Sequence, residues 1–270
     1  MNTSKIFTAL FAVFTLALAI PTVVMAAPIE ITTSIKSSLD KTIGAADRSQ
    51  AAKISSLYNE LLTLQKQEQD WDAKIKALHT GNGETLSLLS KQIKQIDAAK
   101  LEKLKADVEQ TKEQYKPLFS RYSSLNKQIE AARMLKNKDL SSLLRFQANA
   151  LKIPVQLARM TIKNKKNAWH VAKDNAAKTM KKLRAILADI DPVNVQIKAK
   201  KSAVKTTETG VAPVWSTFKQ AVKKGDAKSV LSTFTSLVSL SRQINEEKQK
   251  IFNLETKISD ILSITKAQMP

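Results

Sequence analysis

The sequence predicts an all-α protein, an elongated up-and-down bundle of about five long helices arranged as tandem antiparallel coiled-coil hairpins. Three observations carry this expectation. Apolar residues recur alternately three and four positions apart over most of the chain, which marks a coiled-coil seam rather than a strand. Only 5 of the 270 residues are glycine, Ala, Leu, Lys, Gln and Ser are abundant, and long β-branched runs are missing; such a composition favours helix. Aromatic residues make up 5% of the chain, which argues for narrow apolar seams and against a thick globular core.

Residues 1–26 read as a secretory signal peptide. Lys5 supplies the positive region, Ile6 to Ile20 a nearly unbroken apolar run, and Val24-Met25-Ala26 a small-residue cleavage signal. The cut is expected between Ala26 and Ala27, because cutting one residue later would put Pro28 next to the scissile bond. The alternative is an uncleaved anchor, since the apolar stretch just reaches the ~20 residues of a spanning helix; Pro21 and the small residues favour cleavage. The chain has no cysteine, so disulfides and thiol-linked lipid are both excluded. An exported chain held together by packing alone suits a secreted or cell-surface protein of a bacterium.

Residues 27–46, rich in Thr, Ser and Ile, are expected to form an extended or weakly helical lead-in. Residues 47–135 should form a first helical hairpin with a long second helix. Asp47 is its N-cap, and the first seam runs through Ile54, Leu57, Leu61, Leu64, Glu68, Trp71, Ile75 and Leu78. Glu68 is expected at the wet edge of that seam, because acidic residues are seldom buried unpaired; the alternative is a register-fixing pair with a Lys or Arg of the facing helix. Gly81-Asn82-Gly83 is read as the turn, and the next helix as Glu84 to about Leu135. One residue is extra between the seam positions Ile96 and Leu101, which locally relaxes the supercoil, and Pro117 should kink this helix without ending it.

Two matches within the chain suggest an internal repeat. Trp71–Asn82 aligns without a gap with Trp215–Asp226, and Leu101–Tyr122 aligns with Ile197–Phe218, bringing Pro117 onto Pro213. The repeat places turns near residues 82, 138 and 225. Residues 136–191 accordingly form a third, basic helix that starts at Asp139 as N-cap and is bent or interrupted at Pro154. Residues 192–270 form a C-terminal hairpin whose first arm is interrupted at Gly210–Pro213 and whose second runs from Asp226 to about Lys266.

Charge is the main functional clue. Residues 145–228 hold 19 Lys/Arg against 5 Asp/Glu, a net of +14, whereas residues 27–144 reach only +4. The densest part is Lys163, Lys165, Lys166, Lys173, Lys178, Lys181, Lys182 and Arg184, followed by Lys198, Lys200, Lys201 and Lys205. A solvated, solubilising face is the bland explanation, but the local scarcity of acids leaves these cations unpaired and able to attract a polyanion. Lys outnumbers Arg here, which fits diffuse attraction better than bidentate recognition of single phosphates. Specific nucleic-acid binding is not supported: Trp169 is the only large flat ring among the basic residues, and it falls on the apolar seam.

Nothing in the sequence assembles a reaction centre. The only histidines are His79 and His170, so neither a Cys/His pair nor a multi-histidine metal site is available, and no cofactor motif occurs. Asp70 and Asp72 are two apart on one helix and do not face each other, while Asp189 and Asp191 flank a helix end. The expected protein is therefore secreted and non-catalytic, and binds or scaffolds at the cell envelope through a basic region facing teichoic acid or another anionic polymer. Its size and helical outline are also similar to secreted helical-bundle pore-forming toxins, which implies a membrane-active alternative on anionic bilayers. The nearest candidates for an inserting segment, Val211 to Val222 and Val230 to Leu240, are short and broken by polar residues. A third option is a coiled-coil adaptor of a cell-wall enzyme, with self-association through the seams also open.

Overall fold

The computed structural model of the chain describes residues 29–270, in which the regular structure is entirely helical. Six helices follow in order: α1 (Thr33–Ala45), α2 (Arg48–Lys94), α3 (Ala98–Met134), α4 (Lys138–Ala188), α5 (Ile190–Lys224) and α6 (Ala227–Ala267). Five of them are long, as expected, but their boundaries differ from the expected ones in instructive ways. The expected cleavage site at Ala26 and Ala27 lies outside the described residues.

The lead-in is a true helix. Thr32 accepts the Ile35 amide to cap α1, which then buries Leu39 and Thr42. Asp47 caps α2 as anticipated, accepting the Gln50 amide at 2.8 Å. The turn expected at Gly81-Asn82-Gly83 does not exist: α2 runs through all three residues and ends only at Lys94. Neither Gly81 nor Gly83 meets any neighbour where a Cβ would stand, so the glycines weaken this helix without breaking it. The chain leaves α2 where the seam carries its extra residue, at Gln95–Asp97, with Asp97 in the left-handed region at φ 55°. This joint is a bend and not a reversal. Ile93, Ile96 and Leu101, on both sides of it, pack in one cluster with Ala176, Met180, Leu183 and Leu187 of α4.

The reversal comes after α3. Lys136 takes φ 51°, and Asn137, not the expected Asp139, caps α4 by accepting the Leu140 amide at 3.0 Å. Leu125, Ile129 and Ala132 of α3 then close on Leu144 and Ala148 of α4 in an antiparallel hairpin. Pro117, Pro154 and Pro213 all sit inside helices that continue past them, and all three are exposed; the interruptions expected at Pro154 and at Gly210–Pro213 are absent. Between α4 and α5 only Asp189 intervenes, itself in the right-handed helical region. The last turn is where the sequence put it: Gly225 adopts φ +69°, and Asp226 caps α6 through the Ser229 amide.

The chain divides into two compact units, the first comprising the described residues up to Gln65 with Lys205–Ile244, the second Lys66–Val204 with Asn245–Pro270. In the first unit Phe234 is the hub, with Phe218 at a ring separation of 4.5 Å and Tyr58 edge-on at 6.5 Å. Arg242 of α6 pairs there with Glu60 of α2, and Gln65 donates to the Ile29 carbonyl at 2.7 Å. The second unit contains the α3–α4 hairpin and a region in which α2, α5 and α6 meet. Its partners on α2 and α6 rise together, Glu68 with Lys248, Trp71 with Phe252, Asn82 with Glu255, so these two helices run parallel.

Candidate polyanion-binding surface

Helix α4 presents the basic residues because its apolar stripe is fully occupied on one side. Val155, Ala158, Ala176 and Leu183 are buried, and the residues between them project outward. Lys163, Lys165, Lys166, Lys173, Lys178, Lys181, Lys182 and Arg184 are all exposed. Asp174 is the sole carboxylate between Lys163 and Arg184, and among the described residues no ion pair involves any of these eight cations. Trp169, expected on the seam, is half-buried, with the Lys173 ammonium 5.5 Å from its ring centre and His170 beside it.

On α5 the picture changes. Lys198 and Lys201 are exposed, but Lys200 is half-buried and its ammonium lies 3.0 Å from Glu247. Lys200 therefore serves the packing of α5 on α6. The hydrogen bond from Lys250, with that from Lys200, holds the Glu247 carboxyl below the ordinary carboxylate value. Lys205 is exposed and belongs to the first unit.

Buried charge lies elsewhere, in the region where α2 meets α6. Glu68 keeps a partly exposed side chain, 26% accessible, and is also paired across the seam: it accepts from Lys248 at 2.9 Å, Asp72 accepts the same ammonium at 2.8 Å, and Lys248 is only 6% exposed. Burial alone would lower the Lys248 pKa; the hydrogen bonds to Asp72 and Glu68 outweigh it, and the pKa lies above the ordinary lysine value. One heptad further along, the fully buried Glu255 meets His79 Nδ1 at 2.7 Å and Asn82 Nδ2 at 3.1 Å, and Asn82 also donates to the Glu255 carbonyl at 2.8 Å. His79 thus belongs to a helix interior and not to a turn. These side chains hold one another, and such polar seam positions fix the register of packed helices.

Between α3 and α4 runs an open groove of about 930 Å³, lined by Phe119, Tyr122, Lys127, Glu130, Arg159 and Ile162 among others. No group of three or more His, Cys, Asp or Glu residues that could hold a metal occurs among the described residues. Comparison with protein-family models, with curated proteins and with solved structures finds no match.

Proposed function

We propose that this is an exported, non-catalytic protein that binds or scaffolds at the bacterial cell envelope, holding an anionic polymer such as teichoic acid against α4. The observation that carries the reading is the run from Lys163 to Arg184: eight exposed cations on one helix, none paired with a carboxylate among the described residues. Cations already neutralised by neighbours have little attraction left to offer, whereas an unpaired set creates a field that concentrates polyanions. The diffuse arrangement around α4 suits a flexible polymer better than a small rigid ligand. The same field supports a lipid surface as the competing target, although no described helix is long and apolar enough to cross a membrane.

The test is co-sedimentation of the protein with purified cell walls across a salt series. Binding should fall steeply with salt, because exposed charges are screened over ~8 Å at physiological ionic strength. Changing Lys163, Lys165, Lys166, Lys181 and Lys182 to Gln should abolish most of the retention while leaving helicity intact. Unchanged retention of that variant would remove the assignment.

A further inference from the structure

Helix α4 carries a second apolar stripe that no described part of the chain covers. Leu144, Ala148, Val155 and Ala158 are buried, the first two against α3. Phe146, Ile153 and Met160, spaced seven apart, and Leu143 and Leu157, spaced fourteen apart, are 57–76% exposed. At ~100° per residue the heptad spacing keeps these five on one side of α4, well away from the buried stripe. Met134 and Leu135, at the connection that closes the hairpin, are also apolar and 82% and 78% exposed.

A third stripe fixes what this surface would meet. Arg145, Lys152 and Arg159 also recur seven apart, are exposed, and flank the apolar row. Between Lys127 and Arg159 the hairpin holds seven Lys/Arg and only Glu130 and Asp139 as acids, a net of +5. Two copies docking through the stripe would bring these like charges together, which disfavours self-association. A surface that is apolar below and anionic above complements both stripes at once, since Lys and Arg stems can run along apolar material while their heads reach phosphate.

We infer that residues 134–160 of the α3–α4 hairpin dock on the surface of an anionic bilayer, with the Leu143–Met160 stripe in the acyl boundary and Arg145, Lys152 and Arg159 on lipid phosphates. The association is peripheral, as no described helix is suited to spanning. It uses residues other than the Lys163–Arg184 run and stands or falls apart from the polymer-binding reading.

Flotation of the full chain with vesicles of phosphatidylcholine alone, or mixed with an equal part of phosphatidylglycerol, tests it. Binding is expected to the mixed vesicles and to be at least tenfold weaker to the neutral ones. The variant Phe146→Ser, Ile153→Ser, Leu157→Ser replaces exposed residues only, so helicity and melting temperature serve as its folding control. It should lose about a hundredfold in vesicle binding while its cell-wall retention stays unchanged. Replacing Arg145, Lys152 and Arg159 by Gln should cost roughly fivefold each. A Phe146→Trp reporter should shift to the blue and be quenched by brominated lipid. The proposal is overturned by equal binding to neutral vesicles, by undiminished flotation of the serine variant, or by sedimentation equilibrium showing that the stripe is buried between two copies.

Discussion

Lys248 offers the sharpest test of how α2 and α6 are held together. In Lys248→Met a stem of similar length remains, and the ammonium between Glu68 and Asp72 is gone. Removing one member of a fully buried ion pair costs 3–5 kcal/mol because a bare charge stays behind. Here the two carboxylate side chains are 26% and 48% exposed, so both can recover water, and the expected loss is about 2 kcal/mol. For a chain of this length ~1 kcal/mol moves Tm by ~2–4 °C; the midpoint followed by far-ultraviolet circular dichroism should therefore drop by ~4–8 °C. Because the folded pKa of Lys248 is raised, its stabilisation is present in full below the unfolded value near ~10.4. It is lost as pH rises through the folded value, so the gap between parent and variant should close in strongly alkaline solution. Adding Glu68→Gln and Asp72→Asn to the variant removes the stranded charges and should restore most of the midpoint. A single variant melting within about 1 °C of the parent, or a triple variant no better than the single, would refute the reasoning.

Other consequences can be checked the same way. Gly81→Ala and Gly83→Ala should each stabilise by ~0.5–1 kcal/mol in urea titrations, since both lie in mid-helix with open space at Cβ. Gly225→Ala, at φ +69°, should instead cost ~1–2 kcal/mol; a loss at Gly81 like that at Gly225 would mean that the chain does turn there. Asn82→Ala strips the buried Glu255 of a donor and should cost ~1–3 kcal/mol, and a neutral result would show that the carboxylate is not held in this way. The Ser229 side-chain and backbone hydrogen bonds hold the Asp226 carboxyl below its ordinary value. That cap stabilises above the unfolded value near ~3.9 and weakens as pH falls through the folded one, so Asp226→Ala should be less stable than the parent at neutral pH, and the gap should narrow as the solution is made strongly acidic.

The seams were legible because packing of long helices leaves a simple periodic trace. Ile54, Leu61 and Leu64 are all buried where the spacing put them. The misplaced turn shows where local rules fail. Gly-Asn-Gly signals a turn by backbone freedom, yet Ile75, Leu78, Asn82, Leu86, Leu89, Ile93 and Ile96 continue the three-four spacing straight through it. That spacing makes Asn82 a polar seam residue that needs a partner. Its partner Glu255 is 173 residues away, and no local pattern announces it. The helix continues past Pro117 as expected, but Pro154 and Pro213 do not interrupt theirs: each removes one helix hydrogen bond on an exposed face, and tertiary packing carries the helix past it. The net charge of the candidate surface was plain from composition. That Lys200 is occupied by Glu247 and that α4 has a second, uncovered apolar stripe depended on knowing which side of α4 meets α3.

The parallel course of α2 and α6 has a consequence for the order in which the fold can assemble. Ala132 and Leu144 meet across a 12-residue separation, whereas Asn82 and Glu255 meet across 173. With each doubling of loop length adding ~0.6 kcal/mol of closure entropy, the second contact starts about 2 kcal/mol behind the first. The α3–α4 hairpin can zip from its own connection, but Glu68, Asp72 and Asn82 wait for residues that leave the ribosome much later. Until Lys248 and Glu255 arrive, α2 carries a row of polar seam residues with nothing to answer them, and α6 sets the moment at which the register of that seam becomes fixed.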